Sequence, residues 1–274
     1  MDSKMSRSER VAYMTARLVA NPSRLFGLGD FAEELGVARS TVSEDFSLIR
    51  GALACGGGGV KTLPGAAGGV MYKPRPSAEQ LEMIRMDLAV ELARPERVLP
   101  GGFLYMTDLI FSPQWSEAFG SYFASLFEPL SADAVVTIET KGIPLALMTA
   151  RGLGRPLVII RRNSRVTEGS SVSINYVSGS SSRIQTMSLP RRALEPGSKV
   201  VVVDDFLRGG GTVSGAADLL AEFDVEVLGT GVVAATEEPR EKLLKDYISL
   251  VEIGRTSDGA ARVRCNAPDL PGSD

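Results

Sequence analysis

The stretch Val200-Val201-Val202-Val203-Asp204-Asp205-Phe206-Leu207-Arg208-Gly209-Gly210-Gly211-Thr212 decides how the rest of this 274-residue chain is read. Four β-branched apolar residues predict a strand buried on both faces. Two carboxylates follow, and a glycine-rich turn then ends in a hydroxyl that opens a helix. That layout suits a sugar phosphate. The aspartates offer the acceptors that ribose hydroxyls need, while backbone N–H groups of the glycine turn and the helix N-terminus suit a 5′-phosphate. An ordinary strand-to-helix turn also carries glycines, and the acid pair immediately before them is what sets this stretch apart.

Around it the chain alternates. Strands are expected at Ala134–Ile138, Leu157–Ile160, about 173–177, about 184–189, 199–203 and 225–235, with helices at Ile143–Leu153 and 212–223. Such alternation predicts an α/β fold with a mainly parallel sheet, whose ligands bind at the carboxyl ends of the strands. A second loop, Glu139-Thr140-Lys141-Gly142, shares that edge, and its cation, hydroxyl and flexible backbone suit a pyrophosphate. Alone it reads as readily as a helix-capping turn with an exposed lysine. Arg161 and Arg162 add charge at the end of the strand between. Residues 163–183, rich in Ser and Gly, form either a mobile cover or an ordered hairpin.

Composition narrows the chemistry. The chain has no histidine, which excludes Ser-His-Asp and Cys-His nucleophilic systems and histidine-based metal sites. Its two cysteines, Cys55 and Cys265, lie far apart without CxxC spacing, so no metal site is expected. No apolar run approaches the ~20 residues of a membrane span, and the first residues lack a signal-peptide core. A cytoplasmic protein with no membrane partner is the expectation. The net charge of −3 is uneven: residues 1–75 hold ten Lys/Arg against seven Asp/Glu. A modest positive bias in a small terminal domain permits nucleic-acid contact.

That domain reads as a winged helix-turn-helix of α+β type. Val11, Met14, Leu18 and Val19 share a face of a first helix over 10–20, stopped by Asn21-Pro22. A second helix starts after Asp30 as N-cap, turns Phe31, Ala32 and Leu35 inward and ends at Gly36. The third, over 39–50, places Val42, Phe46, Ile49 and Leu53 on one stripe. Ser40, Thr41, Ser43 and Glu44 stand where a recognition helix meets base edges, with Arg39 and Arg50 suited to phosphates at its two ends. A solvated face capped by Ser40 is the bland alternative. Lys61-Thr62-Leu63 and Val70-Met71-Tyr72 then predict a hairpin wing, on which Lys61 adds a cation. After the break Lys73-Pro74-Arg75-Pro76, a capping box at Ser77 and Gln80 opens a linker helix carrying Leu81, Ile84, Leu88 and Leu92. The division expected is 1–75 winged helix, 76–98 linker helix and 99–274 α/β domain. The last begins with a β-prone run over 99–107 and a helix over 112–127 that holds Trp115.

Residues 200–212 resemble the phosphoribosyl diphosphate (PRPP) signature of type I phosphoribosyltransferases. Winged helix, linker helix and this domain, in that order, are similar to the purine operon repressor family of Gram-positive bacteria. Residues 64–70, 166–170, 173–181 and 183–189 carry the more specific part of the likeness. The resemblance implies a dimeric, DNA-binding repressor of purine-synthesis genes whose effector, PRPP, lowers affinity for operator DNA. It implies a phosphoribosyltransferase-like fold kept for sensing rather than catalysis. By that likeness Asp204 and Asp205 hold the ribose hydroxyls, the loop from Phe206 and Leu207 through Arg208, Gly209, Gly210, Gly211 and Thr212 holds the 5′-phosphate, and Thr140, Lys141 and Gly142 hold the diphosphate. Ser178 and Arg161 fall at the rim. Arg208-Gly209 departs from the enzymes, which more often carry a small residue and threonine there. Guanosine tetraphosphate is a candidate competing corepressor, with Phe103 or Tyr105 stacking on its base. The alternatives are a working purine phosphoribosyltransferase with a DNA-binding appendage, and an RNA-binding regulator, which helix-turn-helix geometry disfavours.

Overall fold

The computed structural model describes residues 5–65, 67–99, 103–163, 169–177, 184–256 and 260–266. Its main feature is a six-stranded sheet built from β3 (Ala134–Ile138), β4 (Leu157–Ile160), β7 (Lys199–Leu207), β8 (Glu226–Thr236), β9 (Ile248–Arg255) and β10 (Ala261–Cys265). The order is β10-β9-β8-β7-β3-β4, parallel except for the antiparallel edge strand β10. β7 is central because its valines suit both faces. Val201 and Val203 join one apolar cluster and Val200 and Val202 the other, all fully or almost fully buried. Alternation at period two thus feeds two cores from one run.

The first core is covered by α4 (Ala78–Leu92), α5 (Thr107–Ile110), α6 (Pro113–Phe127) and α7 (Ile143–Leu153), with Phe119, Phe123 and Phe127 of α6 at its centre. The second lies under α8 (Gly211–Ala221) and the antiparallel hairpin of β5 (Ser171–Val177) and β6 (Ile184–Pro190). Trp115 stacks on Phe119 at 5.4 Å. The capping box at the head of α4 is present, Ser77 Oγ accepting from Gln80 N at 3.2 Å and Gln80 Oε1 from Ser77 N at 2.8 Å. α4 does more than link: Leu81, Leu88 and Leu92 belong to the first core.

The N-terminal domain holds α1 (Arg7–Ala20), α2 (Leu28–Leu35), α3 (Arg39–Cys55) and the hairpin of β1 (Gly58–Leu63) and β2 (Gly69–Pro74), with Phe26 bridged to Val70 as a third strand contact. Its own core joins Met14, Leu18, Phe31, Phe46, Ile49 and Val70. Two arginines of the α1 region meet one buried acid of α3. Asp45 accepts from Arg7 Nε at 3.0 Å and from Arg10 Nε at 2.9 Å.

Several local expectations change. Asp30 sits at the third position of α2 and its carboxylate accepts from Gly27 N at 3.2 Å; Gly27 is the N-cap. Ala38 precedes α3, so Ser40 is within the helix and does not cap it. Val19 faces outward. The run at 99–107 contributes one bridge, Val98 to Leu104, and then enters α5; residues 100–102 lie outside the described set. β9 and β10 were not expected. β10 is a half-exposed edge whose charges interrupt any apolar run.

Asp45→Ala leaves Arg10 buried without its acid, so a loss of about 3 kcal/mol is expected. Thermal and urea melts of the full chain should show an earlier N-terminal transition, with the sheet transition in place.

Candidate functional site

β7 runs four residues further than expected, so Asp204 and Asp205 stand near the carboxyl end of the central strand rather than in the loop. Strand geometry points neighbouring side chains apart, and the two acids accordingly have different surroundings. Asp204 is 7% exposed, and its Oδ1 accepts from Asp205 N at 2.9 Å. Asp205 is half-buried. Burial drives the Asp204 carboxyl well above the ordinary carboxylate range, and the charge of Asp205 adds to the push. Burial also raises Asp205, with Lys141 pulling it back. Lys141 is near enough for its charge to act on Asp205. The two loops meet at this edge.

Gly142 is the closest point of that meeting. A Cβ there would lie 2.2 Å from Thr137 Oγ1 and 2.4 Å from Asp204 Oδ1, so a side chain cannot be accommodated without moving fixed, buried atoms. Thr137 is fully buried and its hydroxyl lacks a hydrogen-bond partner. Sequence reasoning missed it because a threonine within an apolar strand reads as β propensity. It lies next to the acid pair as a spare donor.

After Leu207 the chain turns at Arg208, Gly209 and Gly210, and α8 starts at Gly211, one residue earlier than expected. Gly210 takes φ 80° as the N-cap, a conformation that favours glycine. The first-turn N–H groups of Gly211, Thr212 and Val213 have no partner within the helix, which is the arrangement an oxyanion requires. Leu243 N donates to the Gly209 carbonyl at 3.0 Å, and a Cβ on Gly210 would lie 2.8 Å from Leu244 N, so residues 243–244 brace the turn from behind. Nothing at these leucines signals that role in the sequence. Leu207 is a correction: its side chain is 1% exposed and sits in the second core, and Phe206 packs against the first.

The remaining candidates divide. Arg208 is exposed and its guanidinium lies 5.8 Å from the centroid of Phe103, which brings Phe103 to the loop. Tyr105 is instead fixed through its backbone to Arg97, N to carbonyl at 2.8 Å. Arg161 ends β4, bridges Ser188 and pairs with Glu139 at 3.6 Å, at the entrance to the Thr140 loop. Ser178 lies outside the described residues.

On the other domain, Arg39, Ser40, Ser43, Glu44 and Arg50 are exposed and Thr41 half-exposed, one polar face opposite Val42, Phe46 and Ile49. α3 continues to Cys55, so Arg50 is not at its end. Its guanidinium donates to Thr62 Oγ1 at 3.1 Å, which ties the helix to the wing, where Lys61 is exposed. Among the described residues no cluster of acids and cysteines could hold a metal.

A recognition-type helix with a wing, joined to an acid-pair and glycine loop on a parallel sheet, defines a regulator built on a phosphoribosyltransferase-type fold. Residues 6–74 match the family described as bacterial purine repressor, N-terminal, and residues 115–265 the phosphoribosyl transferase domain. The chain is 45% identical over 251 residues to the purine biosynthesis transcriptional repressor PurR of Bacillus subtilis strain 168, covering 91% of this chain and 88% of that one. It is 37% identical to the purine biosynthesis transcriptional activator PurR of Lactococcus lactis strain IL1403, covering 92% and 93%. Adenine phosphoribosyltransferase from Thermoanaerobacter pseudethanolicus has the same fold in its solved structure, with a TM-score of 0.53 at 24% identity over 63% of this chain and 99% of that one. The chain belongs to the bacterial purine repressor family.

Both aspartates bind protons more tightly in the folded chain than in the unfolded one. Their contribution to stability therefore falls as pH rises from about 4 toward their raised values. Asp204→Asn should raise Tm near neutral pH and bring less benefit as pH falls toward 4. A difference that stays constant across pH would contradict this assignment.

Proposed function

We propose that this chain is a cytoplasmic, homodimeric transcriptional regulator that represses purine-biosynthesis genes and releases operator DNA when PRPP occupies the acid-pair site. The observation that carries it is the joining, in one chain, of an exposed polar helix face and a phosphate-suited loop beside one buried and one half-buried aspartate. Asp204 and Asp205 accept from the ribose hydroxyls. Gly209 to Thr212 supply N–H groups to the 5′-phosphate, with the Arg208 guanidinium as a further cation. Thr140, Lys141 and Gly142 take the diphosphate, and Lys141 neutralises charge that the acids would repel. Thr137 donates its free hydroxyl to Asp204 once the carboxyl ionises.

DNA binding follows from α3. Ser40, Thr41, Ser43 and Glu44 read base edges, and Arg39, with Lys61 on the wing, meets phosphates. Arg50 contributes through its hold on the wing as well as through charge. Two copies match two half-sites. The likeness to repressors at 45% identity favours repression as the output; the relative from Lactococcus lactis is named an activator, so the sign is read in a transcription assay with purine-gene promoters.

The site serves sensing rather than transfer. The support is the likeness, over nine-tenths of the chain, to proteins named as transcriptional regulators; the absence of histidine does not by itself bar phosphoribosyl transfer, which needs little acid–base chemistry from the protein. Incubation with PRPP and each free purine base should release no pyrophosphate; turnover at an enzymatic rate would establish the transferase alternative. Guanosine tetraphosphate competes for the same loops, its base stacked on Phe103.

Asp205→Ala should weaken PRPP binding by about 1.5–3 kcal/mol, the loss of a charge-assisted hydrogen bond, and leave operator affinity without effector unchanged. Isothermal titration and fluorescence anisotropy measure the two. Asp205→Ala protein that still responds to PRPP at wild-type concentrations would overturn the site assignment. Lys61→Ala and Arg39→Ala should each lower the salt dependence of operator binding by close to one phosphate contact, a slope change of about 0.9.

A further inference from the structure

α7 touches both functional halves of the molecule. Its N-terminus begins at Gly142, which leaves no clearance against Thr137 and Asp204. Its last turn meets the winged helix. The Ser23 hydroxyl donates to the Gly152 carbonyl at 2.6 Å, and the Arg151 guanidinium donates to the Val19 carbonyl at 3.4 Å. A Cβ on Gly154 would lie 2.4 Å from Ser23 Cβ, so the seat for Ser23 is as tight as the seat at the other end. An 11-residue helix spans about 16 Å with its backbone bonds intact, so it transmits a push at one end to the other.

Its flank is equally close-packed. A Cβ on Gly120 of α6 would lie 2.2 Å from Met148 Cβ, and one on Gly152 would lie 2.6 Å from Ala124 Cβ. Helices that approach this closely have no room to slide independently, so α6 and α7 shift together. Beyond α6, Glu128 accepts from Arg75 Nη2 at 2.7 Å, a second foothold at the end of the wing hairpin. Ser23 is itself bonded to that hairpin, its N–H donating to the Tyr72 carbonyl at 2.7 Å. The two footholds therefore converge on β2.

We propose that the α6–α7 pair is the lever that couples the acid-pair site to the DNA-binding domain, with Ser23 and Glu128 as the positioning residues through which it holds the winged helix. The inference rests on the reading that PRPP changes operator affinity. A diphosphate held by the Thr140–Gly142 loop bears on the start of α7, where Gly142 sits so close to Thr137 and Asp204 that a Cβ would not fit. A displacement there reaches the wing through Gly152 and Ser23.

The test uses full-length Ser23→Ala, Glu128→Gln and the double variant, with three dissociation constants for each: PRPP to free protein, operator to free protein, and operator at saturating PRPP. The first two are expected to stay within about twofold of wild type, while the factor by which PRPP weakens operator binding falls at least about fivefold in the double variant. Arg262→Gln, which breaks a pair with Glu237 on the sheet edge, serves as a control and should keep the full factor. A double variant with undiminished coupling overturns the proposal, whereas a wild-type protein indifferent to PRPP overturns the functional reading beneath it. Should a variant fail to fold, hydrogen exchange on wild-type protein decides. PRPP should change protection around Ser23 and Tyr72, and unchanged protection there would rule the lever out.

Discussion

Two carboxylates held largely out of water at the end of a central strand are the constraint on which the rest of this structure depends. Burying an acid is costly unless its charge is met, and here it is met incompletely: Asp204 accepts a single backbone N–H, and Lys141 acts on Asp205 from the neighbouring loop. Such a site is poised for a ligand that brings hydroxyl donors to the acids and anions to the cations around them. The sheet keeps the acids in place. Two full cores, one on each side of β7, leave the strand no freedom to withdraw them.

The glycines around the acids act through the space they leave. Gly142 lets the second loop close in on Asp204, and Gly210, at φ 80°, lets the chain reverse into α8. The same device recurs away from the site, at Gly120, Gly152 and Gly154, where it brings helices and domain together without slack. A fold packed this closely at both ends of one helix is suited to carry a displacement from one end to the other. That is the physical sense in which a transferase-type fold can act as a receptor.

Arg208 lies over Phe103, which sets a cation and an aromatic face beside the glycine turn. The winged helix is stabilised independently through Asp45 and its two arginines. Within it, α3 is braced to the wing by the bond from Arg50 to Thr62.

The sequence by itself determined the parallel α/β domain, the winged helix, the order of the two, and the two loops that meet at one edge of the sheet. Each of these rests on local signals: a valine run, period-2 and period-3.6 patterns, an acid pair, and glycines at turns. It carried less at the edges, where charges break up β10 and Asp30 fits a cap it does not make. Only tertiary structure decided that Asp204 and Asp205 belong to the strand and that Leu207 points into a core. The same holds for Thr137 with its unpartnered hydroxyl beside Asp204, and for α7 running from that site to Ser23. The reason is physical: these facts depend on which side chains meet across elements distant in sequence, and no local periodicity records a meeting between residues 23 and 152.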